Sequence, residues 1–109
     1  MKLIIKRSKW CRGNKNLSTE GDSMLLTDEG TMCCLGFLAL ECGLARDEIE
    51  NVSEPKELSG AAKQKWPKHT DLVSQLIIAN DATRLSEVAR ENKIKRLMAQ
   101  AGVEVIFKK

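Results

Sequence analysis

The stretch from Thr31 to Gly43, TMCCLGFLALECG, constrains the fold more than any other part of the sequence. It is the longest apolar run, it holds three of the four cysteines, and no Lys or Arg interrupts its thirteen positions. Leu, Ala, Cys and Phe over this length favour a helix, because few of the residues are β-branched. We therefore predict a buried central helix over Met32–Cys42, begun by Thr31 as N-cap and ended by Gly43 in the left-handed conformation. Gly36 inside this helix either allows another backbone to approach closely or is a tolerated defect.

Short strands are predicted at both ends of the chain. Residues 2–6, KLIIK, have a β-branched centre, and the closing residues 103–109, VEVIFKK, alternate as a strand does, so we expect the two to pair. Residues 23–27, SMLLT, are a second N-terminal strand in this prediction.

Two amphipathic helices are predicted in the second half of the chain. The first is capped by Thr70 or Asp71 and runs through Ala79, and the second runs from its N-cap Ser86 to about Ala101, before Gly102. Residues 46–50 form a helical turn in this prediction, and residues 56–69 are irregular. The predicted fold class is thus α+β, in a single domain over residues 1–109. A small sheet, formed by the N-terminal strands and the C-terminal strand, packs on the buried helix and on the two amphipathic helices.

Charge is distributed unevenly along the chain. Residues 1–19 carry six bases and no acid, residues 20–57 carry ten acids against two bases, and residues 58–109 carry ten bases against five acids. Such segregation steers a charged partner, unless the acidic middle folds against the basic ends. No run reaches the roughly 18 apolar residues of a membrane span, so no membrane partner is expected.

The basic loop after the first strand is the first candidate binding site, formed by Lys9, Trp10, Arg12, Gly13 and Lys15. Positive charges beside an aromatic ring suit phosphate contact combined with base stacking, so this loop favours a nucleic acid or nucleotide. In the alternative, the loop is solvated and Trp10 packs in the core.

The second candidate site is the segment between the two amphipathic helices, with Asn80, Asp81 and Arg84. Asp81 and Arg84 would contact a polar ligand or a basic group of a partner, because loops at such positions carry function. The structural alternative is a helix C-cap followed by a turn.

Cys33 and Cys34 are the thiols to test. They lie in the first turn of the predicted helix, where the helix dipole would lower a thiol pKa, and His69 is the one histidine that could act as a base. The alternative is that both are small buried apolar residues. The cysteine spacing lacks the close pairs of a zinc site, so we predict no metal site. We also predict no cofactor, and we identify no residue as catalytic.

Several short motifs together resemble a known group of proteins. They are Trp10-Cys11-Arg12-Gly13, Leu25–Gly30, Cys33-Cys34-Leu35-Gly36, Asn80-Asp81 and the ending of helix, Gly102 and strand. This combination resembles small, largely uncharacterised proteins of tailed bacteriophages and prophages, and the CCLG core with a downstream ND is its most specific part. The chain departs from the commoner pattern in Phe37–Leu40, in Cys42 and in Ala82–Arg84.

The resemblance implies the cytosol of a bacterial host and implies no particular reaction. Small phage proteins of this kind often bind and disable or redirect a host component, including defence systems. We therefore expect a non-enzymatic inhibitor that binds a host protein, for example in a defence or nucleic-acid-processing complex. Nucleic-acid or nucleotide binding through the basic loop is the alternative, and a cysteine-dependent enzyme is the third hypothesis. A homo-oligomer, in which a second copy covers part of the apolar helix, is compatible with each of these three hypotheses.

Overall fold

The computed structural model describes residues 1–11, 25–27, 29–52, 55–66, 70–82 and 85–109. These ranges contain two strands and five α-helices, together with short 3-10 helices at Arg7–Lys9 and Pro55–Glu57. In chain order the strands and α-helices are β1 (Lys2–Lys6), α1 (Cys34–Glu41), α2 (Arg46–Ile49), α3 (Gly60–Lys65), α4 (Thr70–Asp81), α5 (Glu87–Ala99) and β2 (Glu104–Lys108). The fold is therefore α+β, as predicted.

The sheet of the described chain pairs β1 with β2 in parallel, with Lys2 opposite Glu104 and Lys6 opposite Lys108. The predicted pairing of the two terminal strands is confirmed. Alternate residues of each strand point into the core, and these are Leu3, Ile5, Val105 and Phe107. Of the second predicted N-terminal strand, residues 23 and 24 lie outside the described ranges, and Leu26 forms an isolated bridge with Glu50.

Helix α1 is buried along most of its length, because it packs against β1, α2 and α4. The chain itself thus covers the apolar stretch. Gly43 ends the helix as predicted, with φ of 95°, and the backbone N–H groups of Gly43 and Leu44 donate to the carbonyls of Leu40 and Ala39. Thr31 is not the N-cap, because the helix begins at Cys34 and the Thr31 hydroxyl bonds Thr27 instead.

Helices α4 and α5 pack against each other, and α5 also packs against β2. The predicted N-cap of α5 is confirmed, since Ser86 Oγ accepts the backbone N–H of Ala89 at 3.1 Å. The predicted end of α4 at Ala79 is wrong, because the helix continues to Asp81. Asn80 and Asp81 are its last two residues rather than part of a loop, because the side chain of Asn80 is bonded inside the core instead of capping its own helix.

The prediction that residues 56–69 are irregular is wrong in part, because they contain α3 over Gly60–Lys65. A helix this short has no apolar repeat long enough to identify it, and a single residue, Ala62, is buried in it. None of the helices in the described ranges has the length and apolar character needed to cross a membrane.

Candidate functional site

Trp10 lies in the core rather than in a solvated loop. The 3-10 helix Arg7–Lys9 turns the chain after β1, and Trp10 then forms a parallel bridge with Met32. Its side chain is 1% exposed, and its ring lies 4.8 Å from that of Phe107, centroid to centroid. The structure thus agrees with the alternative in which Trp10 packs inside, and the indole has no free face for stacking on a base.

Asn80 joins Trp10 to the start of α1. The last turn of α4 carries Asn80 into the core, where it is 1% exposed. Its Oδ1 accepts the indole N–H of Trp10 at 2.7 Å and the backbone N–H of Cys34 at 3.0 Å. Its Nδ2 donates to the carbonyl of Cys11 and to Asp81 Oδ1, each at 3.0 Å. An amide side chain has two acceptor and two donor positions, so all four are used.

These bonds make Asn80 the cap of a helix that is distant in sequence. The backbone N–H groups at the start of a helix lack partners within the helix, and the residue before α1, Cys33, makes no side-chain cap bond. Asn80 supplies the missing acceptor from α4, 46 residues away. We call Trp10, Cys11, Cys34, Asn80 and Asp81 the Asn80 cluster. It brings the WC, CCLG and ND motifs into one largely buried hydrogen-bond network, which joins the segment after the 3-10 helix Arg7–Lys9 to α1 and α4.

The two adjacent cysteines are buried thiols. Burial raises the pKa of Cys33 to about 12, although N–H groups at the start of α1 act in the opposite direction. Burial also raises the pKa of Cys34 well above its ordinary value, and its Sγ lies 4.0 Å from the carbonyl of Leu76. A nucleophile needs the thiolate, so this environment disfavours nucleophilic chemistry. Among the described residues, no group of His, Cys, Asp or Glu could hold a metal ion.

In the folded protein, we expect a thiol reagent to modify Cys11 and Cys42 before Cys33 or Cys34. Cys11 and Cys42 are partly exposed, whereas the other two react only when the chain opens, so we expect their rates to be at least about tenfold lower. Timed labelling followed by mass spectrometry of the peptides measures the order, and labelling in denaturant is the control in which the difference disappears. Native labelling of Cys33 or Cys34 as fast as that of Cys11 would revive the nucleophile hypothesis.

Of the remaining candidate residues, the structure describes Lys9 and Asp81. Lys9 is exposed, and Asp81 is partly exposed at the margin of the Asn80 cluster. Arg12, Gly13, Lys15 and Arg84 lie outside the described residues, as does His69.

An ion pair joins the N-terminal segment to α5. Arg7 donates through Nε and Nη2 to the two carboxylate oxygens of Glu91, at 2.7 and 2.8 Å. Its guanidinium carbon also lies 5.9 Å from the ring centroid of Phe107. The hydrogen bond to Glu91 raises the pKa of Arg7. The 84 residues between the partners leave no local signal of this pair in the sequence.

The two strands leave one face of their sheet outside the core, and two isoleucines stand at its centre. Ile4 is 45% exposed and lies directly opposite the partly exposed Ile106. The rows on either side are charged, with Lys2 opposite Glu104 and Lys6 opposite Lys108. We call these six residues the outer sheet face. The alternation of KLIIK and VEVIFKK contains the signal for it, because Leu3, Ile5, Val105 and Phe107 point the other way.

Comparison with known proteins finds no matching family model, no similar curated protein and no similar solved structure.

Proposed function

We propose that this chain is a non-enzymatic phage or prophage accessory protein that binds a host protein through the outer sheet face and inhibits or redirects it. The target class we propose is a defence or nucleic-acid-processing complex. The observation that supports binding is the pair at the centre of that face, formed by the exposed Ile4 and the partly exposed Ile106.

A parallel sheet usually has both faces covered, because the helices that connect its strands pack on them. Among the residues that the structure describes, those of the core pack on one face of β1 and β2 only. The other presents two isoleucines whose burial by a partner would be favourable, and apolar groups at the centre of a patch with a polar rim are typical of binding surfaces.

The charges around the two isoleucines define the kind of partner. Lys2, Lys6 and Lys108 are exposed on this face, against the single acid Glu104. A complementary surface therefore has an apolar centre within a mainly acidic rim. Salt should weaken such binding, since the rim charges remain close to solvent.

The burial of other candidate residues supports this choice over the two alternatives. The nucleic-acid hypothesis needs an aromatic ring that can stack, and the Trp10 indole is buried and bonded to Asn80. The enzyme hypothesis needs a thiolate, and burial raises the pKa of both Cys33 and Cys34.

Affinity capture from a bacterial host tests this proposal with two matched variants. We expect the unaltered chain and Val88→Glu to capture the same protein, and Ile4→Glu to lose it. Val88 is 70% exposed on α5, so it controls for a new acidic charge on the surface. With the captured protein purified, we expect Ile4→Glu to weaken binding roughly tenfold or more, and added salt to weaken binding of the unaltered chain.

Three results would contradict the proposal. The unaltered chain could capture no protein, or Ile4→Glu could bind the purified partner as tightly as Val88→Glu does. The third contradicting result is a dimer of the chain alone, seen in sedimentation, that Ile4→Glu converts to a monomer. Such a result would mean that the outer sheet face binds a second copy of the chain.

A further inference from the structure

Cys11 and Cys33 stand at matching positions of two paired segments. The backbone N–H of Met32 donates to the carbonyl of Lys9 at 2.8 Å, and the N–H of Cys11 donates to the carbonyl of Met32 at 2.7 Å. These two bonds form the parallel bridge between Trp10 and Met32. Cys33 continues its segment in an extended conformation, with φ of −73° and ψ of 173°, so the next positions in register are Cys11 and Cys33.

The amide of Asn80 enters the backbone pairing one step further along. A continued parallel ladder would join the N–H of Cys34 directly to the carbonyl of Cys11. Instead, Asn80 Oδ1 accepts the N–H of Cys34 and Asn80 Nδ2 donates to the carbonyl of Cys11, each at 3.0 Å. The Cys11–Cys33 step therefore lies between a direct backbone bond on one side and the Asn80 amide on the other, which fixes the spacing of the two segments.

This spacing suits a disulfide. Paired strands lie about 4.7–4.9 Å apart, and a disulfide joins residues whose Cα atoms are about 4.4–6.8 Å apart. Side chains at matching positions of paired strands point to the same side of the backbone. Burial is the main cause that raises the pKa of Cys33, and the charge of Cys11 is a further one, which is consistent with neighbouring thiols.

The other two cysteines are less suitable partners for Cys11. Cys34 is the first residue of α1, and its Sγ lies 4.0 Å from the carbonyl of Leu76 on α4. Cys42 follows the opposite end of α1, which at the helical rise per residue is roughly 12 Å from Cys34. The backbone register thus selects Cys33.

We propose that Cys11 and Cys33 form a reversible disulfide, with a low-molecular-weight disulfide such as oxidised glutathione as the oxidant. The thiolate of Cys11, which is partly exposed, attacks one sulfur of oxidised glutathione and releases one glutathione thiolate. The thiolate of Cys33 then attacks the Cys11 sulfur of this mixed disulfide and releases the second glutathione thiolate. Two protein thiols are oxidised, one glutathione disulfide is reduced to two thiols, and the two cysteine protons pass to them.

The two cysteines have different roles in this reaction because their exposure differs. The partly exposed Cys11 is the thiol that a dissolved oxidant reaches, whereas Cys33 is buried. Burial keeps the Cys33 thiolate rare, so the second step is slow, but the sulfur that it attacks is held beside it. The product closes a loop over residues 12–32 and joins the segment after Arg7–Lys9 covalently to the start of α1.

Oxidised glutathione and mass spectrometry under non-reducing conditions test the proposal on the folded protein. Cys42→Ala serves as the parent, because it removes the other partly exposed thiol. We expect a monomeric product lighter by two hydrogen atoms, in which fragmentation of the linked peptides identifies Cys11 and Cys33, and which dithiothreitol reverses. With Cys33→Ala added, the reaction should stop at one glutathione on Cys11. With Cys34→Ala added, the matched change at the next position, the disulfide should still form.

The proposal is overturned if the parent retains glutathione on Cys11 without closing a disulfide, or if fragmentation links Cys11 to Cys34. Fragmentation of the parent's peptides decides the outcome even if Cys33→Ala fails to fold. No protein partner enters this experiment, so its result is independent of the outer sheet face.

Discussion

Gly36→Ala is expected to destabilise the protein by about 3 kcal/mol or more, which is a large part of the stability of a typical domain. A Cβ atom built on Gly36 would lie 1.8 Å from the carbonyl oxygen of Leu25, 2.8 Å from its carbonyl carbon and 2.9 Å from Met32 Cβ. Two of these atoms are backbone and cannot move aside by a rotamer change. Leu25 is also held in place, because it is fully buried and its N–H donates to Val52 at 2.7 Å.

Chemical unfolding of Gly36→Ala and Gly60→Ala measures this effect with the same change at two sites. A Cβ at Gly60 would meet nothing within 4 Å, so alanine there should be neutral or should stabilise α3 by up to about 1 kcal/mol. Similar unfolding free energies for the two variants would mean that Leu25 does not approach α1 as closely as described.

Asn80→Ala is expected to cost about 3 kcal/mol or more, because it removes one side chain that makes four hydrogen bonds. It leaves the indole N–H of Trp10, the N–H of Cys34 and the carbonyl of Cys11 without that partner. An unsatisfied buried polar group costs about 1–3 kcal/mol, and the costs need not add fully. Chemical unfolding measures the loss, and the exposed Asn92→Ala on α5 should stay within about 1 kcal/mol of the parent.

Asn80→Asp distinguishes the accepting from the donating half of the side chain. A carboxylate still accepts from Trp10 and Cys34, but it faces the carbonyl of Cys11 and the carboxylate of Asp81. Its folded-state pKa should therefore lie above the unfolded value, so stability relative to the parent should recover as the pH falls and the acid is protonated. A loss for Asn80→Ala no larger than that for Asn92→Ala would show that the Asn80 cluster is not a structural network.

Much of the fold is predictable because local patterns determine it. The composition of the Thr31–Gly43 stretch indicates a buried helix, Gly43 and Ser86 mark helix ends, and alternation identifies both terminal strands. Of the two interpretations of Gly36, close backbone approach and a tolerated defect, the structure supports the first, although the sequence does not identify Leu25 as the neighbour. The end of α4 is not predictable, because asparagine is common just after the end of a helix and here a tertiary hydrogen bond keeps Asn80 inside it.

The candidate site was harder to predict for the same reason. The sequence motifs contain Trp10, Cys34 and Asn80 separately, but a sequence pattern does not report a bond across 70 residues, such as that from Trp10 to Asn80. Their shared role emerges only when the helices are packed. The exposed position of Ile4 follows from strand alternation once Leu3 and Ile5 are placed inside.

The parallel pairing of β1 with β2 has a consequence for biosynthesis. Lys2 pairs with Glu104, so the ribosome must add about a hundred residues before the first strand meets its partner. Until then β1 emerges as a short apolar segment with both hydrogen-bonding edges open, exposed to other nascent chains and to chaperones. The residues that pack α1 on α4 and α4 on α5 are fewer positions apart along the chain, so these contacts can form earlier. The sheet forms late, because pairing the two terminal strands carries the entropic cost of closing a long loop.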